Sequence, residues 1–235
     1  MLKRIFHWII GHELVTLILV GFVIACIWGF IELADEVMDG DSSAFDQWLL
    51  RALRNPADLA DPIGPSWFEE LARDVTALGS FALLVAFTAV TCGFLWLIKQ
   101  PVTVLFVVIA IGSGMLVSTA MKTGFDRPRP ELVAHHTRVY TKSFPSGHSA
   151  MSAMVFLTLA ALVARVQQRT ATKVYWVAVA FVLTALVGTS RVYLGVHWPS
   201  DVVAGWIFGT AWAAASWLAF RALEKRWQGR PPRNI

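Results

Sequence analysis

Residues 122–201 hold three short clusters of groups suited to chemistry on a compact anion. In the first, Lys122 stands six residues before Arg129 and Pro130, in the run Lys-Thr-Gly-Phe-Asp-Arg-Pro-Arg-Pro. Pro128 and Pro130 disfavour helix and hold the segment extended, so the Arg129 guanidinium can turn back toward the Lys122 ammonium. In the second, Pro145, Ser146, Gly147 and His148 directly precede an apolar run that starts at Ser149. Pro and Ser are helix-start signals, and Gly lets a ligand approach the backbone closely. The free N–H groups of such a first turn, the Ser146 hydroxyl and the helix dipole converge on one point, an anion site with His148 beside it. The third cluster is Ser190-Arg191 with His197 and Asp201 downstream. Arg191 offers a planar, permanently charged fork for two oxygens of a phosphate. If Pro199 opens a helix, Asp201 accepts a hydrogen bond from one ring nitrogen of His197 and leaves a free lone pair on the other, as a nucleophilic histidine requires. Taken singly, Lys122 reads as a lysine snorkelling from a helix end and the Pro-Ser-Gly turn as an ordinary helix start. Their occurrence together points to a site.

The elements that position these groups are membrane helices. The chain has 235 residues, 56% of them apolar and only 15% charged, well below the roughly 25% charged content of an ordinary soluble domain. Eleven Trp and this apolar content exclude disorder, a collagen-like chain and a small disulfide scaffold. Six apolar stretches approach the roughly 20 residues a helix needs to cross the hydrocarbon: about 14–31, 77–98, 102–121, 149–166, 174–189 and 202–222. The sequence predicts an all-α, six-span bundle in a single domain, 1–235, with both termini on one side. On that side lie eleven cations and two carboxylates, net +9; the other side has nine cations and fourteen carboxylates, net −5. The positive-inside bias puts both termini in the cytoplasm and the three clusters outside. The net charge of +4 alone is compatible with nucleic acid. Its placement favours anionic membrane lipid as the partner, above all for the basic tail, and leaves no nucleic-acid role.

Lys3 and Arg4 precede the first span as a targeting signal would, and Val23 to Cys26 resemble a lipoprotein cleavage box. The apolar run nevertheless continues to Ile31, so a retained anchor is expected. Trp8, Trp96, Trp176 and Trp227 fall at predicted inner boundaries and Trp28 and Trp198 at outer ones, where interfacial anchors belong. Residues 32–76 are acidic and rich in turn formers, and read as an extracytoplasmic cap of one or two short surface helices, structural or lid-like. Cys26 and Cys92 lie inside spans and read as small buried apolar residues. Asp126, Glu131 and Asp201 are too scattered to form a metal cluster, and the adjacent His135 and His136 read as solvent-facing. No metal and no cofactor is expected.

The three clusters resemble the signatures of the type 2 phosphatidic acid phosphatase superfamily, the lipid phosphate phosphatases that share their site with vanadium haloperoxidases. Those signatures are Lys-x6-Arg-Pro, Pro-Ser-Gly-His and Ser-Arg-x5-His, and all ten specified residues occur here in order between Lys122 and His197. The resemblance implies the haloperoxidase-like helical core and a multi-pass bacterial inner-membrane enzyme. It makes His197 the nucleophile that forms a phosphohistidine, Asp201 its orienting partner and His148 the general acid and then base. Lys122, Arg129, Ser146, Gly147 and Arg191 become phosphate ligands, with Pro130, Pro145 and Ser190 in support. The implied substrate is a lipid phosphate of the outer leaflet, of the undecaprenyl diphosphate, phosphatidylglycerophosphate or phosphatidic acid class. A lipid A phosphatase or a lipid phosphotransferase would use the same residues. A non-enzymatic lipid transporter is disfavoured, because transport places ionisable groups near the bilayer midplane.

Overall fold

The computed structural model describes residues 2–131 and 142–228. In chain order its elements are α1 (Leu2–Asp39), α2 (Ser43–Ala52), β1 (Arg54–Asn55), β2 (Asp58–Pro62), α3 (Ser66–Ala77), α4 (Phe81–Leu97), α5 (Pro101–Gly124), α6 (Gly147–Val166), α7 (Thr170–Tyr193) and α8 (Pro199–Gln228). Helices α1, α5, α6, α7 and α8 are each long and apolar enough to cross a membrane, and α3 with α4 forms a sixth candidate bent by 48°. Leu97, Val90 and Leu116 are 81%, 73% and 73% exposed, so the outward faces are aliphatic and lipid, not water, must cover them.

Helix bounds differ from the apolar runs where polar residues continue a helix past the hydrocarbon. The first helix extends to Asp39 through Glu32, Asp35 and Glu36, so the cap segment starts inside it. The short fifth run lies within a 24-residue helix, α7, whose last turn carries Arg191. The second run is broken: Ala77 ends α3, and α4 starts at Phe81 behind Ser80, which caps it by accepting from the Leu83 N–H at 3.4 Å. The turn between α4 and α5 puts Lys99 at φ 58° and Pro101 in the first helical turn.

Helix α6 is the hub, packed along α8 and α7, while α1 lies on α8 and the α4–α5 pair closes the other side. Two glycines let α8 approach this closely. A Cβ at Gly209 would sit 2.2 Å from the Ala150 carbonyl oxygen, and one at Gly205 2.7 Å from that of Ser146. The buried cluster Leu84, Val107, Ile111 and Val155 joins α4, α5 and α6.

The cap is a short helix, a two-stranded antiparallel hairpin and α3, and it is pinned by buried polar contacts. Asp46 on α2 accepts from the Ser200 N–H at 2.9 Å. Arg54 on β1 donates to the Tyr193 carbonyl at 2.6 Å, and the Tyr193 hydroxyl donates to Ile63 O at 2.8 Å. Between cap and α7–α8 lies a cavity of about 800 Å³ with apolar walls, among them Phe45, Leu49, Phe68, Val192 and Trp206.

Trp28, Trp96 and Trp176 are exposed on the outer faces. The Trp198 indole N–H donates to Pro128 O at 3.0 Å and its ring lies under the Arg127 guanidinium, so this residue braces the segment between α5 and α6. The side chains of Trp8 and Trp227, and both His135 and His136, lie outside the described residues.

Candidate active site

Four helix ends meet at one end of the bundle: the last turns of α5 and α7 and the first turns of α6 and α8. They bring Lys122, His148, Arg191 and Asp201 together, and two connecting segments add Arg129 and His197. Lys122, Arg129, Arg191 and His197 all act electrostatically on His148, so the five groups share one small volume. The Lys122 ammonium passes 3.5 Å from where a side chain at Gly147 would begin, which sets it over the start of α6. Gly79, in the break between α3 and α4, abuts the His148 ring in the same way, at 3.4 Å.

The centre is His197, 1% exposed. Its Nε2 lies 3.0 Å from Arg129 Nη1 and its Nδ1 lies 3.3 Å from Asp201 Oδ2. A guanidinium can only donate and a carboxylate can only accept. The ring proton therefore sits on Nδ1, and Nε2 carries the lone pair, facing the cationic cluster. Burial drives the His197 pKa down to about 3; Asp201 opposes this through its hydrogen bond and charge, and Arg129 and Arg191 add to the fall. Burial likewise lowers the pKa of Arg129, against the opposing charge of Asp201.

Asp201 has no rotational freedom left. Its Oδ2 accepts from His197, from the Trp198 N–H at 3.0 Å and from the Ser143 hydroxyl, and its Oδ1 accepts from Arg127 Nη1 at 2.6 Å. Its backbone carbonyl accepts from the Ser146 N–H at 2.9 Å and ties the start of α8 to the start of α6.

Arg191 donates to the Thr76 hydroxyl at 3.1 Å, while its buried Nε has no hydrogen-bond partner among the described residues. An unpaired buried N–H on a cation can donate to an anionic oxygen. The Gly147 and His148 N–H groups, in the first turn of α6, have no intrahelical acceptor and are available to the same anion.

Not every residue read from the sequence sits in this cluster as a ligand. The fully buried Ser146 hydroxyl is the cap of α6, accepting from Ser149 N–H and Ser149 Oγ–H. Ser190 donates to Val187 O at 2.7 Å and lines the apolar cavity, so it stands behind Arg191. Pro130 and Pro145 are buried and shape the two loops, the Phe144–Pro145 peptide being cis. Arg129 has turned to His197 and to Val196 O, at 2.8 Å. Arg127 and Asp46 carry much of the polar network and are absent from the sequence reading. One signal could have found Arg127: like Arg129, it is a cation on the side where the positive-inside bias disfavours one.

The described residues thus form a membrane-embedded helical bundle with a cationic, two-histidine anion site at one end. Residues 101–225 match the PAP2 superfamily. The chain is 30% identical to phosphatidylglycerophosphatase B of Bacillus subtilis over 146 residues, 61% of this chain and 70% of that protein. A segment of 82 residues is 37% identical to an undecaprenyl-diphosphatase of Sulfolobus acidocaldarius, covering 35% of this chain and 32% of the relative. The fold matches the crystal structure of a transmembrane PAP2-type phosphatidylglycerolphosphate phosphatase from B. subtilis with a TM-score of 0.73, over 87% of this chain and 96% of that one, at 23% identity. The chain belongs to the PAP2 superfamily, and it is a multi-pass membrane phosphatase.

Proposed function

We propose that the protein removes phosphate from a lipid phosphate monoester or diphosphate at the extracytoplasmic leaflet, with both termini in the cytoplasm of a bacterial cell. The observation that carries this reading is the Arg129–His197–Asp201 arrangement, which leaves a lone pair on a buried imidazole beside Arg129 and Arg191. His197 Nε2 attacks phosphorus, the ester P–O bond of a monoester or the anhydride P–O bond of a diphosphate breaks, and His148, which takes up a proton when the phosphate anion binds beside it, gives that proton to the leaving oxygen. Asp201 holds the Nδ1 proton as the ring becomes cationic. Water then attacks the phosphohistidine, the P–N bond breaks, and His148 takes the water proton. Lys122, Arg129, Arg191 and the first-turn amides of α6 bind the phosphoryl oxygens, whose stabilisation is the main catalytic demand of phosphoryl transfer. Arg129 leaves Nε2 to meet that phosphoryl group.

The +9 and −5 charge balance of the two sides supports the orientation. The apolar cavity beneath the cap, walled in part by Ser190, Val192, Pro199 and Val202 from the helix ends that carry Arg191 and Asp201, supports a substrate with hydrocarbon tails. The test is phosphate release by purified protein across phosphatidylglycerophosphate, phosphatidic acid, undecaprenyl diphosphate and lipid A in detergent. Release from a glycerophospholipid or isoprenoid substrate, abolished in His197→Ala, is the expected result; turnover unchanged in His197→Ala contradicts the mechanism.

A further inference from the structure

Arg127 bridges two buried carboxylates that come from distant parts of the chain. Its Nη1 donates to Asp201 Oδ1 at 2.6 Å and to Ser200 Oγ at 2.7 Å, and its Nη2 donates to Asp46 Oδ2 at 2.6 Å. Asp46 and Asp201 are both 0% exposed, and the Arg127 side chain is 11% exposed. The guanidinium is further held over the Trp198 ring, 5.6 Å from its centroid. Asp46 does a second thing, since its Oδ1 accepts from the Ser200 N–H. That amide belongs to the first turn of α8, so a carboxylate from the cap satisfies the helix end that carries Asp201.

Resting on the reading of His197 as nucleophile, we infer that Arg127 and Asp46 are positioning residues for the reaction, and that cap helix α2 is thereby part of the active centre. The order of contacts is Asp46, Arg127, Asp201, His197. Arg127 fixes the carboxylate plane of Asp201 so that Oδ2 stays on the His197 Nδ1–H. Asp46 fixes Arg127 and also offsets its charge: with Asp46 present, the three groups Asp46, Arg127 and Asp201 keep one net negative charge for the imidazole ring that turns cationic when Nε2 bonds to phosphorus. Without Asp46 that charge is cancelled, and the step that forms the phosphohistidine slows. Neither residue touches the phosphoryl group, so substrate binding is little changed.

The experiment measures kcat and KM for phosphate release from dioctanoyl phosphatidic acid in detergent micelles, on the full chain. Asp46→Asn and Arg127→Gln should each lower kcat about 10- to 100-fold, as loss of a partner that orients a reactive histidine does, with KM within about threefold. Asp46→Glu and Arg127→Lys, which keep the charges, should recover at least a third of the lost decades. In an Asp201→Asn background, Asp46→Asn should cost less than about threefold, because residues acting through one group are not additive. A kcat within twofold of wild type in both Asp46→Asn and Arg127→Gln, or full multiplication of the Asp46 and Asp201 effects, overturns the inference while leaving the phosphatase reading intact. Should Asp46→Asn not fold, the same comparison rests on Asp46→Glu and Arg127→Lys, whose kcat must fall measurably at unchanged KM. Activity retained in His197→Ala is a different result and overturns both.

Discussion

Replacing Asp201 by Asn tests how the nucleophile is held. The carboxylate accepts four bonds, three on Oδ2 and one on Oδ1, and an amide oxygen can occupy only one of these positions. With the oxygen facing His197, the amide N–H group meets the Arg127 donor that stands 2.6 Å from Oδ1, and no negative charge faces the ring. With the oxygen facing Arg127, the amide donates to Nδ1, the ring proton moves to Nε2, and the attacking lone pair is gone. For the first orientation, unit charges at the 3.3 Å separation of Nδ1 and Oδ2 interact by about 5 kcal/mol at an effective dielectric of 20. That corresponds to between three and four decades in rate. Because Arg127 already shares the carboxylate, the expected fall in kcat is about 10³-fold. The comparable Asp-to-Asn change in a serine-protease triad costs about 10⁴. KM should stay within about threefold, since Lys122 and Arg191 are untouched. The assay is steady-state phosphate release in detergent micelles, with a melting curve to show that the variant is folded. A folded variant whose kcat lies within tenfold of wild type refutes the reasoning.

Three further outcomes are expected. Gly209→Ala puts a methyl group 2.2 Å from the Ala150 carbonyl and should cost about 1–3 kcal/mol, lowering Tm by roughly 2–12 °C; Gly21→Ala, with nothing within 4 Å, serves as the control that leaves Tm in place. Native His197 stays unprotonated down to about pH 3, whereas an unfolded histidine takes up a proton near pH 6.5. The unfolded state thus holds more protons between these values, and stability should fall by about 1.4 kcal/mol per pH unit as pH drops through that window. His197→Gln should lose this increment in urea unfolding at pH 4 and pH 6, and an unchanged slope contradicts the assignment. EDTA at millimolar concentration should leave phosphate release within about twofold, because three cations and the start of α6 stabilise the phosphoryl charge; loss of activity restored by a divalent ion contradicts that role.

The sequence reveals the site wherever the chemistry is local. His197 and Asp201 are four residues apart across the start of α8, and Ser146 to His148 are consecutive, so short spacing brings them together. Lys122, at the outer end of α5, and Arg129, in the segment that follows, are marked as cations on the side where the positive-inside bias disfavours them. Asp46 is illegible for the opposite reason. It lies among the turn-forming acidic residues of the cap, and its partners are 81 and 154 positions away, a pairing that only the packed bundle creates. Arg127 lies between Lys122 and Arg129 and passes as a spacer, because its role depends on that same long-range contact. The spans are legible as apolar runs, but their ends are not, since α1 and α7 run on through polar residues whose helical state hydropathy does not report.

The most direct measurement is a rapid quench of the protein with a lipid labelled at its terminal phosphate. Attack by His197 Nε2 predicts label on the protein within the first turnover, stable to alkali and labile to acid, and absent from His197→Ala. Wild-type turnover with no such label at any time, or label that persists in His197→Ala, contradicts the central claim that this imidazole is the nucleophile.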